Sequence, residues 1–365
     1  MENFNAYVHH INPFALQFTE NMGIRWYGLA YLAGIILGYF IIMKMIKLGR
    51  MEIKAEILAD FATWMAFGIF IGGRLGYCLF YAPYLFLEFH SGFPFWGVLE
   101  VHKGGMASHG GIMGVSVACF LFARKHKLNV LHCLDITVLG GSLGFFFGRI
   151  ANFINGELYG RPVESAVKWA VKFPQELKEW TYYSPQSLLS LGDLVTKLSP
   201  LKIRGENGEQ TMLATPEQWT EWVNNYRINL HANWSVNQFV DHVQMEAMKG
   251  NAQVLEALQH VLTARHPSQL YQAILEGLLV FVILNLIWWV PRKPGVIAAS
   301  FGFLYAFARI AGEQFRMPDS NIGFQLLGLT RGQWLSVAMV AAAALLMWFS
   351  LTRKNNPLGG WTKRN

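Results

Sequence analysis

Residues 148–160 read Gly-Arg-Ile-Ala-Asn-Phe-Ile-Asn-Gly-Glu-Leu-Tyr-Gly and close a long apolar stretch. A hydrophobic helix that ends in an arginine, two asparagines and a glutamate points to a polar contact at membrane depth. Arg149 and Asn152 are three apart and Gly156 is seven from Arg149, so on a helix all three share one face. A guanidinium, an amide and bare backbone on one face suit an anionic, oxygen-rich ligand such as a phosphate ester. The plain alternative is an interfacial helix end whose arginine snorkels and whose asparagines cap. That alternative accounts for Arg149 alone, whereas the whole run favours function.

Other ionisable residues stand in apolar surroundings. His109, in Ser108-His109-Gly110-Gly111, is a candidate general base, because an unperturbed imidazole titrates near ~6.5. A glycine-flanked turn histidine bonded to backbone fits it equally well. Tyr305, Arg309, Glu313 and Arg316 recur at spacings of four, four and three, which is one helix face. Tyr27, Arg74 and Glu276 add polar groups to three further apolar segments. Several arginines can hold a phosphate diester and stabilise it as a leaving group. No protein nucleophile stands out, and Cys78 reads as a packing residue. No His/Cys set has metal-ligand spacing, and His9-His10 is isolated. The sequence has no Gly-rich nucleotide loop after a strand and no Ser-His-Asp arrangement. Neither metal nor cofactor is expected.

The elements that must position these groups are membrane helices. Of the 365 residues 53% are hydrophobic and only 15% charged, against roughly 25% charged in a soluble domain, and the mean hydropathy is +0.27. Seven segments, near 24–46, 57–81, 108–124, 133–155, 269–290, 295–314 and 333–352, approach the ~20 apolar residues that a bilayer core requires. The expected fold is an all-α polytopic membrane protein with about seven spans. The net charge of +7 does not signal nucleic acid, because the basic residues cluster in short connections. Lys44, Lys47, Arg50 and Lys54 follow segment one, Arg124, Lys125 and Lys127 segment three, Arg292 and Lys293 segment five. Arg353, Lys354, Lys363 and Arg364 follow segment seven. The positive-inside rule makes these connections cytoplasmic, with the N-terminus outside and the C-terminus inside. Cys78, Cys119 and Cys133 are an odd set in or beside apolar segments, which argues against a disulfide framework. Residues 1–23 are polar and mixed, and no cleavable signal peptide is evident.

Three organisational regions follow: 1–160 with four spans and the main polar run, 161–268 as an outer insertion, and 269–365 with three spans and a tail. Glycines at fourfold spacing (Gly68, Gly72 and Gly76; Gly110 and Gly114; Gly140, Gly144 and Gly148) predict close helix packing in lipid. The insertion carries two apparent capping boxes, Thr215-Pro216-Glu217-Gln218 and Ser235-Val236-Asn237-Gln238. Asn251 can cap a third helix with Val254, Leu255, Leu258 and Leu262 on one face, and Leu188, Leu191, Leu194, Val195 and Leu198 mark another. Such a helical head either rests amphipathic faces on lipid or folds around its own core.

With this orientation Tyr27, Arg74, His109, Arg149, Asn152, Asn155, Glu157, Glu276, Tyr305, Arg309, Glu313 and Arg316 all fall in the outer half of the bilayer. A transporter places charge at the midplane with access from both sides, so one-sided clustering favours an active site open to the outer leaflet. An anion or lipid-headgroup transporter and an outer-leaflet phospholipid hydrolase are the rival readings. The first calls for polar residues in the cytoplasmic half, the second for a nucleophile or a metal set.

Together these motifs resemble the bacterial prolipoprotein diacylglyceryl transferase family. The resemblance runs through Trp26-Tyr27-Gly28, Gly72-Gly73-Arg74-Leu75-Gly76-Tyr77, Gly104-Gly105-Met106, His109-Gly110-Gly111 and the Gly148–Gly160 run. It continues in Arg265-His266-Pro267-Ser268-Gln269-Leu270-Tyr271, Arg309 to Glu313, and Phe315-Arg316. It implies transfer of the diacylglyceryl group from phosphatidylglycerol to the lipobox cysteine thiol of a prolipoprotein signal peptide, releasing glycerol 1-phosphate. It implies no cofactor, a substrate-borne nucleophile, and residence in the bacterial inner membrane with the site facing the periplasm. By resemblance Arg149 and Arg309 are phospholipid-binding and catalytic, with His109, Tyr27 and Glu313 also catalytic. Asn152, Asn155, Glu157, Tyr305, Arg316, Arg74, Gly104, Gly105 and Gly160 are implied substrate contacts. The chain departs from the family pattern at Lys103, where an acidic residue is frequent, at Gln272, where glutamate is common, and in its longer 161–265 insertion.

Overall fold

The apolar segments fold as helices because only a helix satisfies every backbone polar group within its own segment in lipid. A computed structural model describes residues 5–19, 22–101, 104–163, 167–198, 201–205, 208–212, 215–317 and 323–362. Lys103, Lys363 and Arg364 lie outside the described residues. The first four helices are α1 (Trp26–Lys47), α2 (Leu58–Phe80), α3 (Ser108–Lys125) and α4 (Val130–Asn155). Five shorter ones follow: α5 (Glu176–Tyr183), α6 (Gly192–Leu198), α7 (Pro216–Asn224), α8 (Leu230–Met248) and α9 (Ala252–Val261). The last are α10 (Ser268–Gln272), which continues through a π-helical stretch (Ala273–Leu279) into α11 (Val280–Ile287), then α12 (Val296–Gly312) and α13 (Arg331–Thr352).

Among the described residues, five helical stretches are long and apolar enough to cross a bilayer: Trp26–Lys47, Ala55–Phe80, Val130–Asn155, Ser268–Ile287 and Arg331–Thr352. Helix α12, at 17 residues, is about 25 Å long at 1.5 Å per residue. Large apolar side chains such as Phe40, Phe67, Leu345 and Trp348 are exposed along these helices, the surface expected of a protein solvated by lipid rather than water.

The chain divides into two units. One comprises Gly28–Arg149, Tyr271–Gln314 and Pro318–Asn365. In it the first two glycine stripes meet: a Cβ on Gly68 would stand 2.7 Å from the Ala118 Cβ and 2.9 Å from the Gly114 carbonyl. Of the third stripe, Gly140 and Gly144 pack against Gly38 and Gly34 of α1, whereas Gly148 has open space beside it. Packing therefore explains the stripe only up to Gly144. The Asp135 carboxylate accepts from the backbone N–H of Gly295 and of Ala298, each at 2.8 Å, and so caps the start of α12.

The other unit comprises Met1–Tyr27, Ile150–Leu270 and Phe315–Met317. It has its own core, in which Leu188, Leu191, Leu194, Val195, Trp219, Val236, Phe239, Val243, Val254, Leu258 and Leu262 are buried together. The amphipathic faces of the insertion thus pack on one another. Thr215 forms the expected capping box with Gln218, and Asn251 caps α9. Ser235 does not begin a helix. It is buried inside α8, whose cap is Asn229 five residues after α7 ends; an Asn accepting two backbone N–H bonds outcompetes the later Ser-x-x-Gln pattern. The fold is also not purely helical. Two-residue strands β1 (Tyr7–Val8) and β4 (Val171–Lys172) pair in parallel. Antiparallel pairs join β2 (Phe14–Thr19) to β3 (Met22–Arg25) and β5 (Leu201–Gly205) to β6 (Gly208–Met212). His9 is buried against Phe153 and Phe173, and burial lowers its pKa to about 4, so it is a neutral packing residue.

Candidate active site

An alternating chain of charges runs through the first unit. Glu276, in the π-helical stretch, is completely buried. Its Oε2 accepts from Arg149 Nε at 3.2 Å and NH2 at 2.9 Å, and its Oε1 from Arg309 NH1 at 3.3 Å. Arg309 NH2 reaches Glu313 Oε1 at 2.7 Å, and Thr330 Oγ1 donates to Glu313 Oε2 at 3.2 Å. Thr330 also caps α13 in a reciprocal box with Gln333. π-Helical turns recur at functional sites, and this one carries the central carboxylate. Gly332 lets the chain close up, since a Cβ there would stand 3.3 Å from both Arg309 NH2 and Glu313 Oε1.

Two guanidiniums and two carboxylates cancel in charge, yet N–H donors are left over. Among the described residues, Arg149 NH1 and Arg309 Nε have no hydrogen-bond acceptor. Buried arginines held by carboxylates are pre-organised, so little reorganisation is needed when their remaining donors meet an anion.

His109 sits in the first turn of α3 and is buried. Its ring packs edge-on to Tyr305, centroids 6.3 Å apart, and Nε2 lies 3.4 Å from Ser336 Oγ. The Ser336 hydroxyl donates to the Gly332 carbonyl at 2.8 Å. Its one proton is thereby committed, so Oγ accepts from His109 Nε2–H and the lone pair of Nδ1 is left to take a proton. Of the two readings of His109, a ring bonded to a side chain replaces a turn histidine bonded to backbone. Tyr305 is fully buried against Phe145 and Phe301.

Arg74 has another role. Nε donates to the Val98 carbonyl at 2.7 Å, NH2 to Gly97 at 2.7 Å, and NH1 to Gly104 at 2.6 Å and Gly105 at 3.1 Å. The guanidinium thus holds the carbonyls of Gly97, Val98, Gly104 and Gly105 with four of its five N–H donors. Gly105, at φ +84°, admits this clamp, because a Cβ there would stand 2.7 Å from Arg74 NH1. Gly104 is the neighbouring left-handed glycine, at φ +87°.

The second unit holds a polar group of its own. Asn152 Nδ2 donates to the Tyr27 hydroxyl, which reaches Glu157 Oε2 at 3.5 Å. Asn155 Nδ2 donates to Glu157 Oε1 at 3.3 Å, and Gln269 Nε2 to the Glu157 carbonyl at 2.6 Å. Gly156 is not on the helix face with Arg149 and Asn152. It takes φ +68° just beyond the end of α4 and terminates the helix, as a left-handed glycine does. Gly160 is crowded by backbone: a Cβ there would stand 2.7 Å from the Phe315 carbonyl oxygen. It bridges to Arg316, so a glycine is needed where these backbones cross. Arg316 has left the helix of Tyr305 and Arg309, because α12 ends at Gly312.

The model of the prolipoprotein diacylglyceryl transferase family matches residues 13–349. The chain is 45% identical over 356 residues to a Bdellovibrio bacteriovorus protein named phosphatidylglycerol–prolipoprotein diacylglyceryl transferase, covering 98% of this chain and 97% of that one. The chain belongs to the prolipoprotein diacylglyceryl transferase family. Proteins of the same name from Nitrobacter hamburgensis, 34% identical over 91% of this chain and 86% of theirs, and Neisseria gonorrhoeae, 33% identical over 91% and 94%, are similar along the same length. The chain is therefore a multi-pass membrane protein of this transferase family.

In this family member the sequence named Glu276 only by its depth and not as a site residue. The signal was present, since a carboxylate two turns into an apolar helix is by default paired or functional. Thr330 and Ser336 carried no such signal: isolated hydroxyls are common in membrane helices, where they bond to the preceding turn.

Proposed function

We propose that this protein transfers the diacylglyceryl group from phosphatidylglycerol to the cysteine thiol of a prolipoprotein lipobox, releasing glycerol 1-phosphate. The reading is carried by full-length similarity to relatives named for those substrates. The Arg149–Glu276–Arg309–Glu313 chain supports it with chemistry suited to a phosphodiester. The unpaired N–H groups of Arg149 and Arg309 take the lipid phosphate. The substrate sulfur attacks the glyceryl carbon, a C–S bond forms, and the C–O bond to phosphate breaks. The bonding electrons leave with the phosphate oxygen, whose charge the arginines stabilise. His109 Nδ1 takes the thiol proton, whose free pKa is near ~8.5. Tyr27, Asn152, Asn155 and Glu157 form a second polar group that contacts substrate. Incubating purified protein with phosphatidylglycerol and a lipobox peptide should yield a thioether lipopeptide and glycerol 1-phosphate; a diacylglycerol product without peptide would replace transfer by hydrolysis.

The topology we propose has seven spans in the bacterial inner membrane, the N-terminus outside, the C-terminus cytoplasmic, residues 161–268 as a periplasmic head, and a site that faces the outer leaflet. It is supported by the alternation of basic connections. The native cysteines are all buried, so a cysteine introduced at Asn225 gives a clean label. Labelling by an impermeant maleimide in intact spheroplasts is expected; labelling only after lysis reverses the orientation.

A further inference from the structure

Gln272, on the last turn of α10 and one turn before Glu276, is fully buried. Neither its Oε1 nor its Nε2 makes a hydrogen bond among the described residues. Sealing an amide from water without a partner costs stability, and native proteins seldom retain such a group without a use for it. Gly312 stands opposite: a Cβ there would lie 3.0 Å from Gln272 Cγ, 3.4 Å from Gln272 Nε2 and 3.5 Å from Glu276 Oε1. The amide and the carboxylate that holds both arginines therefore flank the same patch of bare backbone.

The chemistry of the unsatisfied group narrows what it can receive. Phosphate oxygens only accept hydrogen bonds, and guanidiniums match them. A primary amide offers a donor and an acceptor side by side, the complement of a hydroxyl, which is also both. Phosphatidylglycerol attaches a glycerol with two free hydroxyls to the phosphate assigned above to Arg149 and Arg309. We propose that Gln272 hydrogen-bonds a hydroxyl of that headgroup glycerol and so determines headgroup specificity; this rests on the transferase reading. Arg149 and Arg309 are already balanced by Glu276 and Glu313, so the neutral amide of Gln272 leaves that charge balance unchanged.

The test compares phosphatidylglycerol with phosphatidylpropanol, which has the same acyl chains and phosphate but no headgroup hydroxyl, using one lipobox peptide and the full-length protein in mixed micelles. A site built around a hydroxyl discriminates strongly against its absence, so wild type should prefer phosphatidylglycerol by at least about tenfold in kcat/KM. Gln272→Met keeps the length and removes both polar atoms. It should erase the preference to within about threefold, lower kcat/KM for phosphatidylglycerol alone, and melt no lower than wild type because an unsatisfied group is gone. Gln272→Asn, which withdraws the amide by one methylene, should also lose most of the preference and guards against a misfolded methionine variant. A preference retained in either folded variant, or absent from wild type, overturns the headgroup role while the transferase reading stands. Failure of wild type to modify the peptide with either lipid overturns both.

Discussion

Glu276→Gln is the sharpest perturbation of the charge chain. Glu276 Oε2 takes two bonds from Arg149, at 3.2 and 2.9 Å, and Oε1 one from Arg309 at 3.3 Å. A glutamine of the same shape keeps one oxygen. Two donors compete for it from Arg149 against one from Arg309, so the oxygen stays with Arg149 and the new NH2 faces Arg309. Arg309 then retains only Glu313, and the cluster carries one uncompensated buried positive charge. Removing one partner of a buried pair costs about 3–5 kcal/mol. Because the Arg149 bonds survive and Arg309 keeps its shorter contact, at 2.7 Å, with Glu313, the lower end applies. At ~1.4 kcal/mol per tenfold, this is a fall of about a hundredfold in kcat/KM when the arginines must be held in place for the transition state. Lipopeptide formation followed by mass spectrometry, with melting in the same detergent, measures both quantities. A variant within about threefold of wild type, with unchanged melting, would refute the claim that Glu276 orients the arginines.

Arg149→Lys should lose most activity while the protein still inserts and folds, since lysine keeps the charge but not the planar fork that bonds Glu276 twice and leaves NH1 over; near wild-type turnover would make Arg149 a mere anchor. His109→Gln should slow single turnover and flatten its dependence on pH while sparing lipid binding; profiles of the same shape differing by less than about tenfold, only ~1.4 kcal/mol of barrier, would remove His109 as the base. Arg74→Lys should speed hydrogen exchange across residues 97–105, because one ammonium cannot serve the carbonyls of Gly97, Val98, Gly104 and Gly105 together, and each buried carbonyl left unpaired costs ~1–3 kcal/mol. Unchanged exchange in that loop would show that its carbonyls do not depend on the Arg74 guanidinium.

Much of this protein could be read from residue order alone. Long apolar runs dictate helices, since lipid leaves the backbone no other partner, and helices are found at Trp26–Lys47, Val130–Asn155 and Arg331–Thr352 close to where the runs predict them. Arg149, Asn152, His109 and Arg309 were conspicuous because polar groups in apolar runs are costly. Capping at Thr215 and Asn251 is local chemistry within four residues. Partnership was not legible. Arg74 and Arg149 look alike in sequence, each an arginine in a glycine-rich apolar segment, yet one closes a loop by its carbonyls and the other grips a carboxylate 127 residues away. Spacing alone places Gly156 and Arg316 on helix faces, but a left-handed glycine and the end of α12 at Gly312 take both off those faces. Periodicity says which groups share an element and how deep they sit. Which donor finds which acceptor depends on how helices distant in sequence pack, and that packing gave Glu276 two arginines and left Gln272 with none.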